Sequence, residues 1–245
     1  VPGLDRLLKS VLDRDSGPLY DQIAIYWNGD EDKQPEYLKA GTYRTVHGFD
    51  IPILVKVGPW RKDFAWARQI SFELATAPWR GYLDTDDTIA TADSEAVTIS
   101  LERAGVTREK STEQDGATPP TLRDFLKESP PAVNAIVAPY FYVEIQGRPA
   151  VINPRTHIVR WEDGWCWSKE LHEDLYPIRG NALRGQYVVG LVVIHKPLRT
   201  SLERLERNIE ILRRVEESVG GPDKLAHRDA YGIAAYHFDR GEDDA

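Results

Sequence analysis

The acidic string Asp84-Thr85-Asp86-Asp87 lies within Tyr82-Leu83-Asp84-Thr85-Asp86-Asp87-Thr88-Ile89 and is the densest carboxylate cluster in the chain. Carboxylates at i and i+2 at a strand end point to one side, a geometry that suits Mg²⁺. Asp84 and Asp86 are therefore the candidate metal-ligating and catalytic pair. A second acid, Glu144, ends an apolar run, with Gln146 two places on. His195 closes the apolar run 187–194, and His237 lies in the last run, 231–238. The two would face each other near the carboxyl ends of neighbouring strands, where open sheets place ligands. A core or edge histidine with one hydrogen bond is the simpler account of each. His172 and Asp174 form a polar turn, and Cys166 between Trp165 and Trp167 reads as a buried thiol.

The string at Asp84 resembles the first motif of haloacid-dehalogenase-type phosphotransferases. There the first aspartate is the nucleophile and the second the acid–base, roles that the resemblance would give to Asp84 and Asp86. It covers only the string itself, and Pro78-Trp79-Arg80-Gly81 stands where that family has a buried apolar strand. Glu144-Ile145-Gln146 is similar to the strand of restriction-type nucleases that carries an acid and, two residues later, a Lys or Gln, a resemblance that implies an alternative metal site completed by an upstream acid, here Asp124 or Glu128.

The elements that must position these groups are best marked near the C-terminus. The run Tyr187 to Ile194 is apolar on both faces and rich in Val and Ile, which predicts one interior strand. Thr200 with Glu203 forms a capping box, and Leu202, Leu205, Ile209, Leu212, Val215 and Val219 form one helical face. Gly220-Gly221-Pro222 ends that helix. A following strand at 231–238 would complete a strand-helix-strand unit spanning 186–238 with a right-handed crossover.

Upstream, Leu4, Leu7, Leu8, Val11 and Leu12 predict a short amphipathic helix. Strands are expected at 23–27, 43–46 and 51–57, with a polar loop at 30–39 and a helix at 63–77. The alternation of Val97, Ile99 and Leu101 favours a strand over 93–101. A helix at 121–129 leads into an antiparallel meander over 133–167. Within it, 133–146 is one strand, 150–153 returns, and 157–161 and 165–167 flank the hairpin turn Glu162-Asp163-Gly164. The polar segment 105–120 reads as a flexible loop and 240–245 as a mobile charged tail. Together these predict a single mixed α+β domain over 1–245, with helices packed on the sheet.

Composition narrows the function. Of 245 residues, 41% are hydrophobic and 29% charged, ordinary for a globular protein. No apolar run approaches the roughly 18 residues of a membrane helix. One cysteine excludes an internal disulfide framework, and no signal peptide is visible; a cytoplasmic, intracellular setting is expected. The net charge of −8 argues against a nucleic-acid binder. Trp161, Trp165 and Trp167 cluster about one hairpin; core packing is the default, and a solvated face would mark a protein–protein interface or a sugar-binding platform. No complete catalytic set is visible. The expected function is thus non-enzymatic, a component of a larger intracellular or virion-like assembly with a protein partner or further copies of itself, needing no cofactor. The alternative is a Mg²⁺-dependent phosphoryl-transfer or nuclease domain using Asp84 and Asp86, or Glu144. Convergence of at least two of these acids in a cleft would separate the two.

Overall fold

Leucines and valine at spacings of three and four form the buried face of an N-terminal helix, α1 (Pro2–Leu12). Leu4, Leu7, Leu8, Val11 and Leu12 are all buried, Leu12 completely. The computed structural model describes residues 2–14, 17–29, 31–39, 41–90, 95–103, 122–145, 148–171, 173–178, 182–188, 191–195 and 201–221. Within these, four further helices follow: α2 (Phe64–Leu74), α3 (Glu95–Arg103), α4 (Leu122–Glu128) and α5 (Ser201–Val219). The strands are β1 (Ile23–Trp27), β2 (Gly41–Arg44), β3 (Asp50–Val57), β4 (Trp79–Gly81), β5 (Asp87–Ile89) and β6 (Ala135–Ile145). They continue with β7 (Arg148–Arg160), β8 (Trp165–Ser168), β9 (Asp174–Pro177), β10 (Gly185–Tyr187) and β11 (Val193–His195).

The largest sheet has the order β4-β7-β6-β11-β5, with β10 also paired to β6. β6 and β7 are antiparallel, β11 runs parallel to β6, and β5 runs antiparallel to β11. A second sheet is ordered β1-β3-β2, and β8 pairs with β9 alone. The class is mixed α+β, as the patterning predicts. Alternation along β6 gives the large sheet two apolar faces. Ile136, Ala138 and Tyr140 pack with α1, Ile89, Ile158 and Val193. Phe141 instead packs with Ala96, Val97 and Val192 under α3. Below α2, Ala65 and Phe72 meet Val159, Trp165 and Trp167.

The 23–27 and 51–57 strands form as predicted, and the strand expected at 43–46 lies two residues earlier, at 41–44, with His47 and Gly48 in the turn. Asp63 caps α2, its Oδ1 accepting from the Trp66 N–H at 2.8 Å. The 30–39 loop holds two short 3₁₀ turns, and Leu38 in the second is fully buried. At the C-terminus, Gly220 and Gly221 have φ of +86° and +120°, the left-handed cap that ends α5. Thr200, the strand expected at 231–238, the 105–120 loop and the 240–245 tail lie outside the described residues.

Three expectations are corrected. Residues 95–103 are helix, not strand: Ala96, Val97 and Ser100 are buried together on one helical face against Phe141 and Val192. A segment this short carries apolar residues compatible with either period, and the packing decides. The run 187–194 is not one strand. β10 sets Tyr187 opposite Val137, a register that would bring Gly190 to Tyr140, but Val193 stands there instead. The break lies beside Pro139 of β6, which has no N–H to give a neighbouring strand. In the meander, 148–160 is a single bulged strand rather than two. Trp161–Asp163 then forms a 3₁₀ turn, Gly164 takes φ of +75°, and β8 leaves the sheet to pair with β9.

Leu12→Ala removes a completely buried side chain from the seam between α1 and the sheet. Urea unfolding should show a loss of about 2–5 kcal/mol. A loss of only the few tenths typical of surface sites would contradict this packing.

Candidate functional site

Asp87 opens β5, where it stands opposite His195 at the end of β11. Two residues earlier on β11, Val193 is opposite Tyr140 of β6. The sheet order thus sets an aspartate, a histidine and a tyrosine side by side on three successive strands. Tyr140 Oη donates to Asp87 Oδ1 at 2.9 Å. His195 Nδ1 lies 3.1 Å from the same oxygen and 3.0 Å from Tyr140 Oη. The other carboxylate oxygen, Oδ2, accepts from the Asp84 N–H at 3.0 Å, while the Asp87 N–H donates to the Asp84 carbonyl at 2.9 Å. This reciprocal pair closes the acidic string into a tight turn. Asp86 extends from that turn, its Oδ1 3.7 Å from His195 Nδ1.

Among the described residues β5 is an edge strand, and α1 anchors it. Ser10 Oγ accepts from the Ile89 N–H at 3.1 Å, and Arg6 donates to the Asp86 carbonyl at 3.2 Å. Edge backbone groups left without a ladder partner are thereby satisfied from the helix.

The electrostatics follow from burial. Asp87 has no solvent exposure. Burial drives its pKa upward, and the hydrogen bond from His195 only partly opposes this. For His195, burial alone acts downward, but the hydrogen bond to Asp87 and the charges of Asp86, Asp87 and Asp84 carry the net shift upward. Burial, then the Asp87 and Asp84 charges, hold Tyr140 protonated.

Asp84 turns away from this group. Its Oδ1 is 2.6 Å from Arg68 Nη2 of α2, and Arg68 Nε donates to Glu173 at 2.7 Å. The same guanidinium lies 4.8 Å from the Tyr82 ring and 5.0 Å from the Trp167 ring. Burial acts against the Arg68 charge, but Asp84 and Glu173 raise its pKa overall. Arg68 therefore ties α2, the acidic turn and the β9 approach together.

Behind Tyr140 stands His157. The β6–β7 register steps from Ile136 opposite Ile158 to Val137 opposite Thr156, so His157 is the bulged residue. Its ring stacks on Tyr140 at 5.7 Å and lies 5.4 Å from Tyr82. It is 1% exposed, and neither ring nitrogen makes a hydrogen bond of ordinary length to a described residue. Burial first, then the Arg155 charge, bring its pKa down to about 4.

Among the described residues, Asp86, Asp87 and His195 form a group that could hold a metal ion, with one ligand atom from each lying within 4.8 Å of the others. Asp86 and His195 line a cleft of about 1980 Å³ whose walls also include Asp84, Tyr140, Asn153 and Arg155, while Asp87 is fully buried. Of the predicted residues, Asp86 and His195 are brought together, and Asp84 is engaged by Arg68. Glu144 is paired opposite Pro149 on β6, and Glu128 is exposed on α4. His172, His237 and Gln146 lie outside the described residues, and Asp174 pairs with Lys169 at 2.9 Å. Trp165 and Trp167 are buried beside α2, and Trp161 packs partly buried on Phe72. The residues that sequence reasoning missed are Asp87, Tyr140, Arg68 and Arg155. Asp87 was visible in the acidic string, but the i,i+2 rule passes over it; the others leave no local signal.

The phosphotransferase resemblance at Asp84 implies a buried strand before the motif. β4 is instead a three-residue strand antiparallel to β7, at the edge of the sheet among the described residues. Compared with known proteins, the chain matches no family model and no curated sequence.

A histidine held below its unfolded pKa leaves stability complete above about pH 6.5 and withdraws it as pH falls toward 4. Wild type should lose up to about 3 kcal/mol more than His157→Phe across that window. Equal slopes in urea titrations at pH 7, 5.5 and 4 would exclude His157 as an acid-sensitive group.

Proposed function

We propose that the cleft is the active site of a divalent-cation-dependent hydrolase acting on a phosphoryl substrate, with Asp86, Asp87 and His195 as ligands. The observation that carries this reading is the convergence of one donor atom from each residue within 4.8 Å of the others. Two carboxylates meet there beside a neutral-capable imidazole, and one of them is completely buried. A fully buried carboxylate with a second one beside it calls for cationic compensation, which a proton on His195 or a divalent cation can supply. A mixed oxygen and nitrogen donor set suits Mn²⁺ or Zn²⁺ better than Mg²⁺, which prefers oxygen alone. A cation held there would polarise a phosphoryl oxygen and activate water. Tyr140 and the Asp84 N–H fix the Asp87 carboxylate, in the way that hydrogen bonds behind metal ligands set their orientation. Arg68 neutralises Asp84 and so keeps a third carboxylate from competing.

A role in a larger assembly remains the second reading, supported by a different feature. Val46 and Phe49, at the tip of the β2–β3 turn, are 75% and 48% exposed. Apolar side chains displayed on a turn suit a protein partner or a second copy.

The metal reading is tested by unfolding in Mn²⁺, Zn²⁺ or Mg²⁺. At a hundred times its Kd, a cation that binds only the folded protein adds about 2.7 kcal/mol. Asp86→Asn should abolish the gain while leaving the metal-free protein within a few tenths of wild type. Hydrolysis of bis(p-nitrophenyl) phosphate should require the same cation and fall at least about a hundredfold in that variant. No stabilisation of wild type by any of the three cations would end this reading and leave the assembly role in front.

A further inference from the structure

We infer that Arg155 is the residue that binds and orients the phosphoryl group of the substrate, an inference that rests on the metal-centre reading above. Arg155 belongs to β7, whose register sets it opposite Ala138 of β6. Its guanidinium carbon stands 4.4 Å above the Tyr140 ring. The hydroxyl of that ring is the one bonded to Asp87 Oδ1 and 3.0 Å from His195 Nδ1. The charge therefore sits on the same aromatic side chain that touches two of the three ligand residues. Arg155 also lines the cleft, as do Asn153 and Thr156 of the same strand. Asn153 is the β7 residue opposite Tyr140.

The chemistry of the side chain selects the ligand. A guanidinium offers a planar fork of donors that matches two oxygens of one phosphoryl group, whereas an ammonium acts as a point charge. Resting on an aromatic face keeps the fork in one plane with its edges presented sideways. A substrate placed with one phosphoryl oxygen toward Asp86 and His195 would thus have its others toward Arg155. The side-chain amide of Asn153, two residues from Arg155 on the same strand, adds a neutral donor along the same wall. The class of substrate is a phosphate ester, with the ester oxygen directed into the wide part of the cleft.

The test is calorimetric titration of the Mn²⁺-loaded protein with inorganic phosphate and, separately, dimethyl phosphate. Tighter binding of inorganic phosphate marks a monoester site and tighter binding of dimethyl phosphate a diester site; either supports the inference. Arg155→Ala should weaken the preferred ligand about tenfold to a hundredfold, the range of charge-assisted hydrogen bonds, and leave Mn²⁺ affinity within about twofold. Arg155→Lys should recover only part of the loss, because it keeps the charge without the fork. Unchanged affinity in Arg155→Ala, or no binding of either ligand to Mn²⁺-loaded wild type, overturns the role of Arg155 while leaving the metal centre intact. Absence of Mn²⁺ binding to wild type instead removes the metal centre and this inference with it. If Arg155→Ala fails to fold, Arg155→Lys decides: affinity equal to wild type overturns the inference.

Discussion

A carboxylate without solvent exposure must take its stabilisation from the protein around it, and Asp87 is such a group. Its oxygens are met by Tyr140 from β6, His195 from β11 and the Asp84 N–H from its own turn. Removing one partner of a buried charge typically costs about 3–5 kcal/mol, because the remaining charge is left uncompensated. The order β6-β11-β5 therefore has an electrostatic consequence as well as an apolar one. Any other pairing at this edge would separate Asp87 from the groups that allow it to be buried. β5 and β11 have three residues each, too short for ladder hydrogen bonds alone to fix their positions.

The same constraint explains the polar side chains of α1. The apolar face of this helix supplies the cover, but Ser10 and Arg6 reach past it to the backbone of β5 and the acidic turn. A helix that only buried leucines could slide along the sheet; these two hydrogen bonds fix where it stops. On the other side of the turn, Arg68 plays the matching part. It joins α2 to Asp84 and Glu173, and its guanidinium lies against the adjoining rings of Tyr82 and Trp167. A largely buried arginine between two carboxylates is held by geometry that neither a lysine nor a single carboxylate would reproduce. The acidic turn is thus tethered from both sides, and Asp86 is the carboxylate left facing the cleft beside His195.

The bulge at His157 has a place in this arrangement. It disturbs the β6–β7 ladder and presents an imidazole to the flat face of Tyr140. Arg155 is over the same ring. Tyr140 is consequently confined by a stacked ring, a guanidinium and its own hydroxyl bonds, which leaves its rotamer little freedom. Rigidity of this kind is what a ligand-orienting residue requires.

Much of this molecule could be read locally. The leucine spacing of α1, the Asp63 cap of α2, the glycines that end α5 and the mixed α+β class all follow from patterns a few residues long. Such patterns act through interactions within one turn or one strand, so they are written into neighbouring residues. The acidic string and His195 were also visible as groups with chemistry to offer. Which aspartate would matter was not, because Asp84, Asp86 and Asp87 differ only in where the turn sends them. Asp84 goes to an arginine on α2, and Asp87 to a tyrosine far along the chain and to a histidine on another strand. The helix at 95–103 and the break in 187–194 were decided in the same way, by packing against β6 and by a proline in that strand. Sequence determined the elements, since their hydrogen bonds and apolar faces are local. Tertiary structure alone decided the site, because its partners come from segments that meet only when the strand register is set.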